Sequence, residues 1–381
     1  MGTTTPPRTL IADDQPDVLE ALRLLLKGEG YETEAVTSPG DVLEAIKARN
    51  FDLLLMDLNY ARDTTSGQEG LDLLTRVQAM DSTLPVVVMT AWGSVEVAVE
   101  AMHRGVRDFV LKPWENSRLL DTLRAQIENG YVMREKLRQG AEQQQELEDA
   151  LEIQRRLLPT ELPQIEGFKV SAAWRPARAV SGDYFDALKF DESRLALCIA
   201  DVSGKGMAAA LLMSNIQAVV KAVASKNVSP AELCTRVNRV VSSNTADDRF
   251  ITFFYCLLDA RRKRLAYSNA GHNPGVVVRR DGSISRLERG GTVLGPFARC
   301  KFEQGELTVQ SGDRVLLFTD GVTEARNESD EEFGEERLIS MLTENRGLDA
   351  DDLQRLLMQA VFDFSAGDFS DDATMIVCSV D

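Results

Sequence analysis

The sequence predicts an α/β doubly wound domain with a five-stranded parallel sheet, then a helical connector, then an α+β domain of two packed, mostly antiparallel sheets flanked by helices. Three observations predict it. Up to about residue 125, apolar runs alternate with amphipathic stretches, the strand–helix rhythm of a parallel sheet covered on both faces. A stretch rich in Glu, Gln, Arg and Leu follows, with no proline before Pro159, and reads as helix. Beyond it strand signals dominate, interrupted by helix pairs. The boundaries expected are 1–7 for a disordered N-terminus, 8–125 for the first domain, 126–160 for the connector and 161–381 for the second domain.

Composition narrows the function. A chain of 381 residues suggests two or three domains, and 44% hydrophobic residues support well-formed cores. The net charge of −17, from 60 acidic against 43 basic side chains, argues against a nucleic-acid partner, which needs a positive surface. Excess carboxylate is compatible with divalent-cation sites. The five cysteines are scattered, odd in number and never spaced CxxC, as in reduced thiols of a cytosolic protein. With His103 and His272 alone, a zinc site of the usual kind is nearly excluded. MGTTTPPRTLIADD carries no basic-then-apolar leader pattern, Pro6 breaks a myristoylation pattern, and no apolar run reaches membrane-spanning length. A soluble, cytoplasmic protein with no membrane partner is expected.

In the first domain, RTLIADD is a strand ending in two acids, and VLEALRLLLKGEG is a helix with a glycine stop. YETEAVT is a strand, DVLEAIKARN a helix and FDLLLMD a continuous apolar strand. A helix around GLDLLTRVQAM, the strand PVVVMTA, the helix SVEVAVEAMHRG and the strand DFVLKP complete the pattern. The crevice of such a sheet lies at the carboxyl ends of its strands. That rule gathers Asp13, Asp14, Asp57, Thr90 and Lys112. Each alone is an ordinary strand-end residue; together they make a site. Three carboxylates suit an octahedral Mg²⁺ that keeps several waters, and a lysine with a hydroxyl suits phosphoryl oxygens.

These residues resemble a response-regulator receiver domain over essentially the whole segment. The resemblance implies Asp57 as phosphoacceptor from a histidine kinase, and Mg²⁺ held by Asp13, Asp14, Asp57 and the Asn59 backbone carbonyl. It also implies that Thr90 and Lys112 contact the acyl phosphate, and that Phe109 is the aromatic that reports phosphorylation. Lys112-Pro113 matches the family's KP pair. One departure is the loop NYARDTTSGQE after Asp57, which is longer than usual.

In the connector a heptad seam runs through Leu123, Gly130, Leu137, Gln144, Leu151 and Leu158, with Gln126, Met133, Gly140, Leu147 and Gln154 between them. Its ends are apolar, and Gly140 and Gln144 weaken its middle. Two readings stand: a solvated spacer helix that never pairs, or a marginal homodimer whose packing shifts with the receiver's state.

The second domain opens with the strand FKVSAAWRP. Between Ser181 and Leu212, YFDALKF and RLALCIAD are strands joined by the polar turn Asp191-Glu192-Ser193, and a helix starts near Gly206. The hairpin lets Asp183 face Asp201, a natural cation site. SPAELCTRVNRVVSSN is a helix with Ser229 as N-cap and Pro230 at its first position. The strands FITFFYCLLD and LAYSNAG come next, then VVVRR and SISRL around an Asp281-Gly282 hairpin turn. DRVLLFTD, the helices GEERLISMLTEN and DADDLQRLLMQAVFDF, and the strand ATMIVCSV close the chain.

Three look-alikes fail. SGKGMA fits a dinucleotide loop, but Asp201 just before it repels a pyrophosphate and no ribose-binding acid follows. Cys256 and Arg262 fit CxxxxxR, but LLDAR between them lacks glycine for an anion nest. His272 in NAGHNP has no catalytic partner and shapes a turn. What remains is Asp183 and Asp201 with Asp320 in FTDGVTEA and Asp371 in SDDATMIV, each at a strand boundary beside small residues.

The series IQRRLLP, PARAVSGDYFD, DVSGKGMAAAL, NAGHNP, FTDGVTEARN and SDDATMIV resembles the SpoIIE-type branch of the protein phosphatase 2C superfamily, over about residues 152–381. The resemblance implies that Asp183, Asp201, Asp320, Asp371 and the Val202 carbonyl hold two Mn²⁺ or Mg²⁺ ions, with Asp372 as the alternative in an alignment shifted by one. It implies Arg178 as a contact for substrate phosphate. Two such ions about 4 Å apart acidify a water and neutralise phosphoryl charge, so no covalent nucleophile is needed. The expected function is a response regulator whose phosphorylation at Asp57 controls a serine/threonine protein phosphatase, with a phosphorylated anti-sigma-factor antagonist as substrate. The rival is a non-enzymatic adaptor that only binds a partner; the intact carboxylate set weighs against it.

Overall fold

The structure, a computed structural model, describes residues 6–60, 68–91, 100–245 and 248–381. Most of the N-terminus expected to be disordered, most of the long loop after Asp57 and the first part of the SVEVAVEAMHRG helix lie outside them. The chain forms two compact units, Met1–Gln144 and Gln145–Asp381.

In the first unit, strands β1 (Arg8–Ala12), β2 (Glu32–Val36), β3 (Leu53–Asp57), β4 (Val86–Ala91) and β5 (Asp108–Lys112) form one sheet in the order β2-β1-β3-β4-β5. Every pairing is parallel. Side-chain alternation sorts the strands' apolar residues into two cores. Leu10, Leu54, Met56, Val86 and Val88 join helices α2 (Pro39–Ala48) and α3 (Gln68–Met80) on one face. Ile11, Leu53, Leu55, Val87 and Met89 join helix α1 (Pro16–Gly28) on the other. Burial on both faces is why these strands read as unbroken apolar runs.

Helix α4 is continuous from Asn116 to Leu157. Its Leu119, Leu120, Leu123 and Ile127 complete the α1-side core. Its packing continues past residue 125, where the sequence signal fades. A Cβ on Gly130 would lie 2.6 Å from Pro85 Cγ. Arg134 donates to the Phe51 carbonyl (2.7 Å) and pairs with Asp52 (3.3 Å). Glycine and arginine do not announce themselves as packing residues, so this extension of α4's packing is not written in its sequence. Part of the expected heptad seam is spent here too: Leu123, Gln126 and Gly130 are buried within this unit.

The second unit holds two sheets. The first runs β13 (Gly290–Gly291), β10 (Arg264–Ala270), β9 (Ile251–Asp259), β8 (Arg194–Val202), β7 (Tyr184–Asp191), with β14 (Gly305–Thr308) also on β10. The second runs β12 (Ile284–Leu287), β11 (Gly275–Val278), β15 (Arg314–Phe318), β16 (Ala373–Val380), β6 (Phe168–Arg175). Val277, Val315, Leu317 and Ile376 point into a core shared with the first sheet and with helices α5 (Met207–Val223) and α6 (Pro230–Val241). Their neighbours Val276, Val278, Leu316 and Met375 pack with α8 (Glu335–Glu344) and α9 (Ala350–Phe364), beyond the short α7 (Asp320–Thr323). The two packed sheets flanked by helices expected from the sequence are therefore present. β13 and β14 were not anticipated, because strands this short show no alternation. β13 is a Gly-Gly step whose Gly290 lies against the Asn269 backbone, with an added Cβ 1.8 Å from its carbonyl oxygen. Among the described residues, no helix is long and apolar enough to cross a membrane.

Candidate functional site

The parallel register of the first unit sets Ala12 beside Met56 and Asp57 beside Met89, so the residues closing these strands share one edge. One carboxylate oxygen each from Asp13, Asp14 and Asp57 lie within 4.8 Å of one another. Lys112 Nζ donates to Asp13 Oδ2 (2.6 Å) and Asp57 Oδ2 (2.7 Å). The other oxygens are oriented by the backbone: Gln15 N–H donates to Asp13 Oδ1 (3.0 Å) and Asn59 N–H to Asp57 Oδ1 (3.3 Å). Burial raises the Asp13 pKa, and its bond to Lys112 offsets only part of that. Burial also acts against the Lys112 ammonium, but hydrogen bonds to Asp13 and Asp57 outweigh it and hold the pKa above the usual value. Thr90 is buried near the end of β4 and Phe109 is exposed on β5. An all-oxygen acidic pocket of this kind fits Mg²⁺ chemistry.

The second unit brings the other aspartates together through its strand ends. In the β7–β8 hairpin Tyr184 pairs with Ala200, so Asp183 stands one step further, at the level of Asp201. Thr319 follows β15 and Thr374 lies in β16, and both hydroxyls donate to Asp183 Oδ2, at 2.9 and 2.5 Å. Asp183 thus ties the first sheet to the second. It is fully buried, and its Oδ1 has no hydrogen-bond partner. Asp320 opens α7 directly after β15. An added Cβ on Gly321 would come 2.2 Å from the Asp372 carbonyl oxygen, so glycine is required for this close approach.

The two adjacent aspartates differ in their partners. Asp372 accepts Ala177 N–H at Oδ1 and Gly182 N–H at Oδ2, both at 2.8 Å, so its carboxylate is committed to backbone. Asp371 is partly exposed and pairs with Lys205 Nζ (2.9 Å), which also donates to the Ser370 carbonyl (2.7 Å). Arg178, expected near substrate phosphate, is exposed beside Ala177.

Crowding shows in the acidities. Burial, then Asp320, Asp371 and Asp372, push the Asp201 pKa to about 7. Burial, then Asp201 and Asp372, raise Asp183 well above the carboxylate range, and burial, then Asp371, raise Asp320. Among the described residues only Asp13, Asp14 and Asp57 gather three carboxylate oxygens within 4.8 Å, but hard oxygen donors at adjoining strand ends, with an orphaned buried oxygen on Asp183, are of the chemical kind that divalent cations take. The rejected candidates stay rejected. Burial pushes the Cys256 thiol up to about 12, and Arg262 pairs with Asp259. Burial lowers His272 to about 4, its Nδ1 lies 2.8 Å from Thr252 Oγ1, and the Asn269 side chain bonds both its N–H and its carbonyl.

Sequence reasoning missed Thr319, Thr374, Lys205, Ser181 and Gln154. The threonines were findable: each stands within three residues of a selected aspartate, in FTDG and SDDAT. Gln154 was not, since it lies far along the chain in a helix read for its heptads.

The Stage II sporulation protein E (SpoIIE) family matches residues 191–381, and the response regulator receiver domain matches residues 9–124. Phosphoserine phosphatase RsbU of Bacillus subtilis (strain 168) is 35% identical over 213 residues, 56% of this chain and 58% of its own. Transcriptional regulatory protein ZraR of Salmonella typhimurium is 35% identical over 114 residues, 30% of this chain and 25% of its own. The solved SiaA-PP2C domain of Pseudomonas aeruginosa covers 64% of this chain and 98% of its own, at TM-score 0.55 and 20% identity, a likeness of fold. The chain spans about half the length of the curated relatives it matches.

Proposed function

We propose that this chain, which belongs to the Stage II sporulation protein E (SpoIIE) family and carries a response regulator receiver domain ahead of that region, is a receiver-controlled, Mn²⁺- or Mg²⁺-dependent serine/threonine protein phosphatase. A histidine kinase phosphorylates Asp57, and the output is hydrolysis of a phosphoserine or phosphothreonine on a partner protein, with a phosphorylated anti-sigma-factor antagonist as the leading substrate. The observation that supports this reading is geometric: the β7–β8 register sets Asp183 level with Asp201, Thr319 and Thr374 tie Asp183 to the ends of β15 and β16, and Gly321 brings Asp320 against the Asp371-Asp372 backbone.

Each residue has a task. Thr319 and Thr374 hold Asp183 Oδ2 and leave Oδ1 as an open acceptor. Asp201, Asp320 and Asp371, with the Val202 carbonyl, supply the remaining oxygens. Asp372 fixes the backbone at Ala177 and Gly182 around them. Bound there, two divalent cations supply Lewis-acid charge to the phosphoryl group and acidify the attacking water. Lys205 neutralises part of the cluster at Asp371. In the receiver, Asp13, Asp14, Asp57 and the Asn59 carbonyl would hold Mg²⁺, and Lys112 and Thr90 would take the oxygens of an acyl phosphate.

The test is phosphate release from a phosphoserine protein in Mn²⁺, comparing wild type with Asp201→Asn, with and without phosphorylation of Asp57. Loss of turnover in Asp201→Asn, and a change in rate on phosphorylation, are expected. Equal activity of the two proteins defeats the mechanism. Tight binding of the phosphoprotein without turnover in either supports the adaptor reading.

A further inference from the structure

The last turns of α4 make a contact that neither the heptad nor the carboxylate cluster accounts for. Gln154 is 3% exposed. Its Nε2 donates to the Ser181 carbonyl (2.6 Å), and its Oε1 accepts Ser181 N–H (2.9 Å). A side-chain amide thus takes both backbone groups of one residue, which fixes position and orientation together. Ser181 is itself fully buried, and its Oγ accepts from Asp183 N–H (3.0 Å) and from Trp174 Nε1 (3.1 Å).

Between Ser181 and Asp183 there is no slack. Gly182 N–H donates to Asp372 Oδ2 (2.8 Å), and a Cβ on Gly182 would lie 3.1 Å from the Val202 carbonyl oxygen and 3.3 Å from Ala209 Cβ. A shift of Ser181 is therefore passed to Asp183 through the Ser181 hydroxyl and to Asp372 through Gly182 N–H, in a turn that has no room for a side chain beside the Val202 carbonyl. One turn on, Gln217 of α5 donates to the Leu157 carbonyl (3.0 Å), which ties the end of α4 to the helix that follows Asp201.

We propose that Gln154 is a positioning residue of the metal centre, setting the Ser181-Gly182-Asp183 turn so that Asp183 and the Val202 carbonyl can serve one cation pair. The inference rests on the phosphatase reading above. It makes cation affinity depend on how the end of α4 is seated, through one amide.

The test uses the full chain in an Asp14→Asn background, which weakens the receiver's own acidic pocket. Mn²⁺ binding is titrated by electron paramagnetic resonance of the free ion, and p-nitrophenyl phosphate hydrolysis is followed across Mn²⁺ concentration. Gln154→Met keeps the side chain's length and removes both bonds. Gln154→Glu keeps the acceptor for Ser181 N–H and loses the donor. Ile153→Ala, at an exposed neighbour, is the control. Gln154→Met is expected to weaken Mn²⁺ binding about tenfold or more, the range for lost support behind a metal ligand. Gln154→Glu should fall between Gln154→Met and wild type, Ile153→Ala should match wild type, and saturating Mn²⁺ should restore kcat. Unchanged Mn²⁺ affinity in the Gln154 variants overturns the proposal, as does a loss of activity that excess Mn²⁺ does not rescue. If Gln154→Met does not fold, Gln154→Glu decides by the same criteria. A wild type that binds no Mn²⁺ overturns the phosphatase reading and this inference with it. A wild type that binds Mn²⁺ no better than Gln154→Met overturns this inference alone.

Discussion

The acid cluster makes a prediction about protons that does not require substrate. In the second unit Asp183, Asp201 and Asp320 all have pKa values above their ordinary range, Asp201 at about 7. An unfolded chain releases those protons near pH 4. Between there and about pH 7 the folded state binds more protons than the unfolded one, so stability falls as pH rises. The chelator-treated protein should therefore melt at a lower temperature at pH 7.5 than at pH 5.5. Cations compete with those protons, so Mn²⁺ should raise Tm more at pH 7.5 than at pH 5.5, and Asp201→Asn should flatten both differences. His272 opposes this trend: burial holds it at about 4, so up to about pH 6.5 the unfolded chain binds the extra proton and this residue's contribution to stability rises with pH, which makes the comparison with Asp201→Asn, where His272 is unchanged, the one that isolates the carboxylates. A pH dependence of Tm in chelator that Asp201→Asn leaves unchanged would contradict the crowding argument.

At the scale of elements, α4 offers a paired test of packing. At Gly130 an added methyl meets the rigid Pro85 ring, and overpacking of this kind costs about 1–3 kcal/mol. At Gly140 nothing lies within 4 Å of the added Cβ, so alanine there should stabilise the helix by up to about 1 kcal/mol. Urea midpoints should move in opposite directions for Gly130→Ala and Gly140→Ala. The same helix shows what the sequence could and could not reveal. Apart from β13 and β14 the strands, the hairpin that sets Asp183 against Asp201 and the acids of the receiver pocket were legible, because apolar runs, alternation and strand-end acids are written locally. Gly130, Arg134 and Gln154 were not, because their partners Pro85, Phe51 and Ser181 are distant in the chain and nothing in α4's own pattern points to them. The choice between Asp371 and Asp372 was also illegible, since it turns on the backbone N–H groups of Ala177 and Gly182.

For the whole molecule, the open question of self-association can be confined to a few turns. Leu123, Gln126 and Gly130 of the heptad seam are buried in the first unit, and Gln154 and Leu158 in the second. What stays available for a second copy is the stretch from Leu137, which is 53% exposed, through the half-buried Leu147 and Leu151, and it carries Gly140 and Gln144 on the seam. Two short apolar anchors separated by a glycine and a polar amide give a coiled coil little to bury, so any dimer formed there should be weak and readily shifted. Sedimentation velocity over a range of concentrations should show wild type largely monomeric at low micromolar protein. Gly140→Leu, which fills the gap in the seam, should move it toward dimer. An acyl-phosphate mimic on Asp57 should shift the wild-type monomer–dimer balance if the receiver acts through this stretch. A monomer in all three samples would mean that this stretch of α4 is a solvated spacer that never pairs.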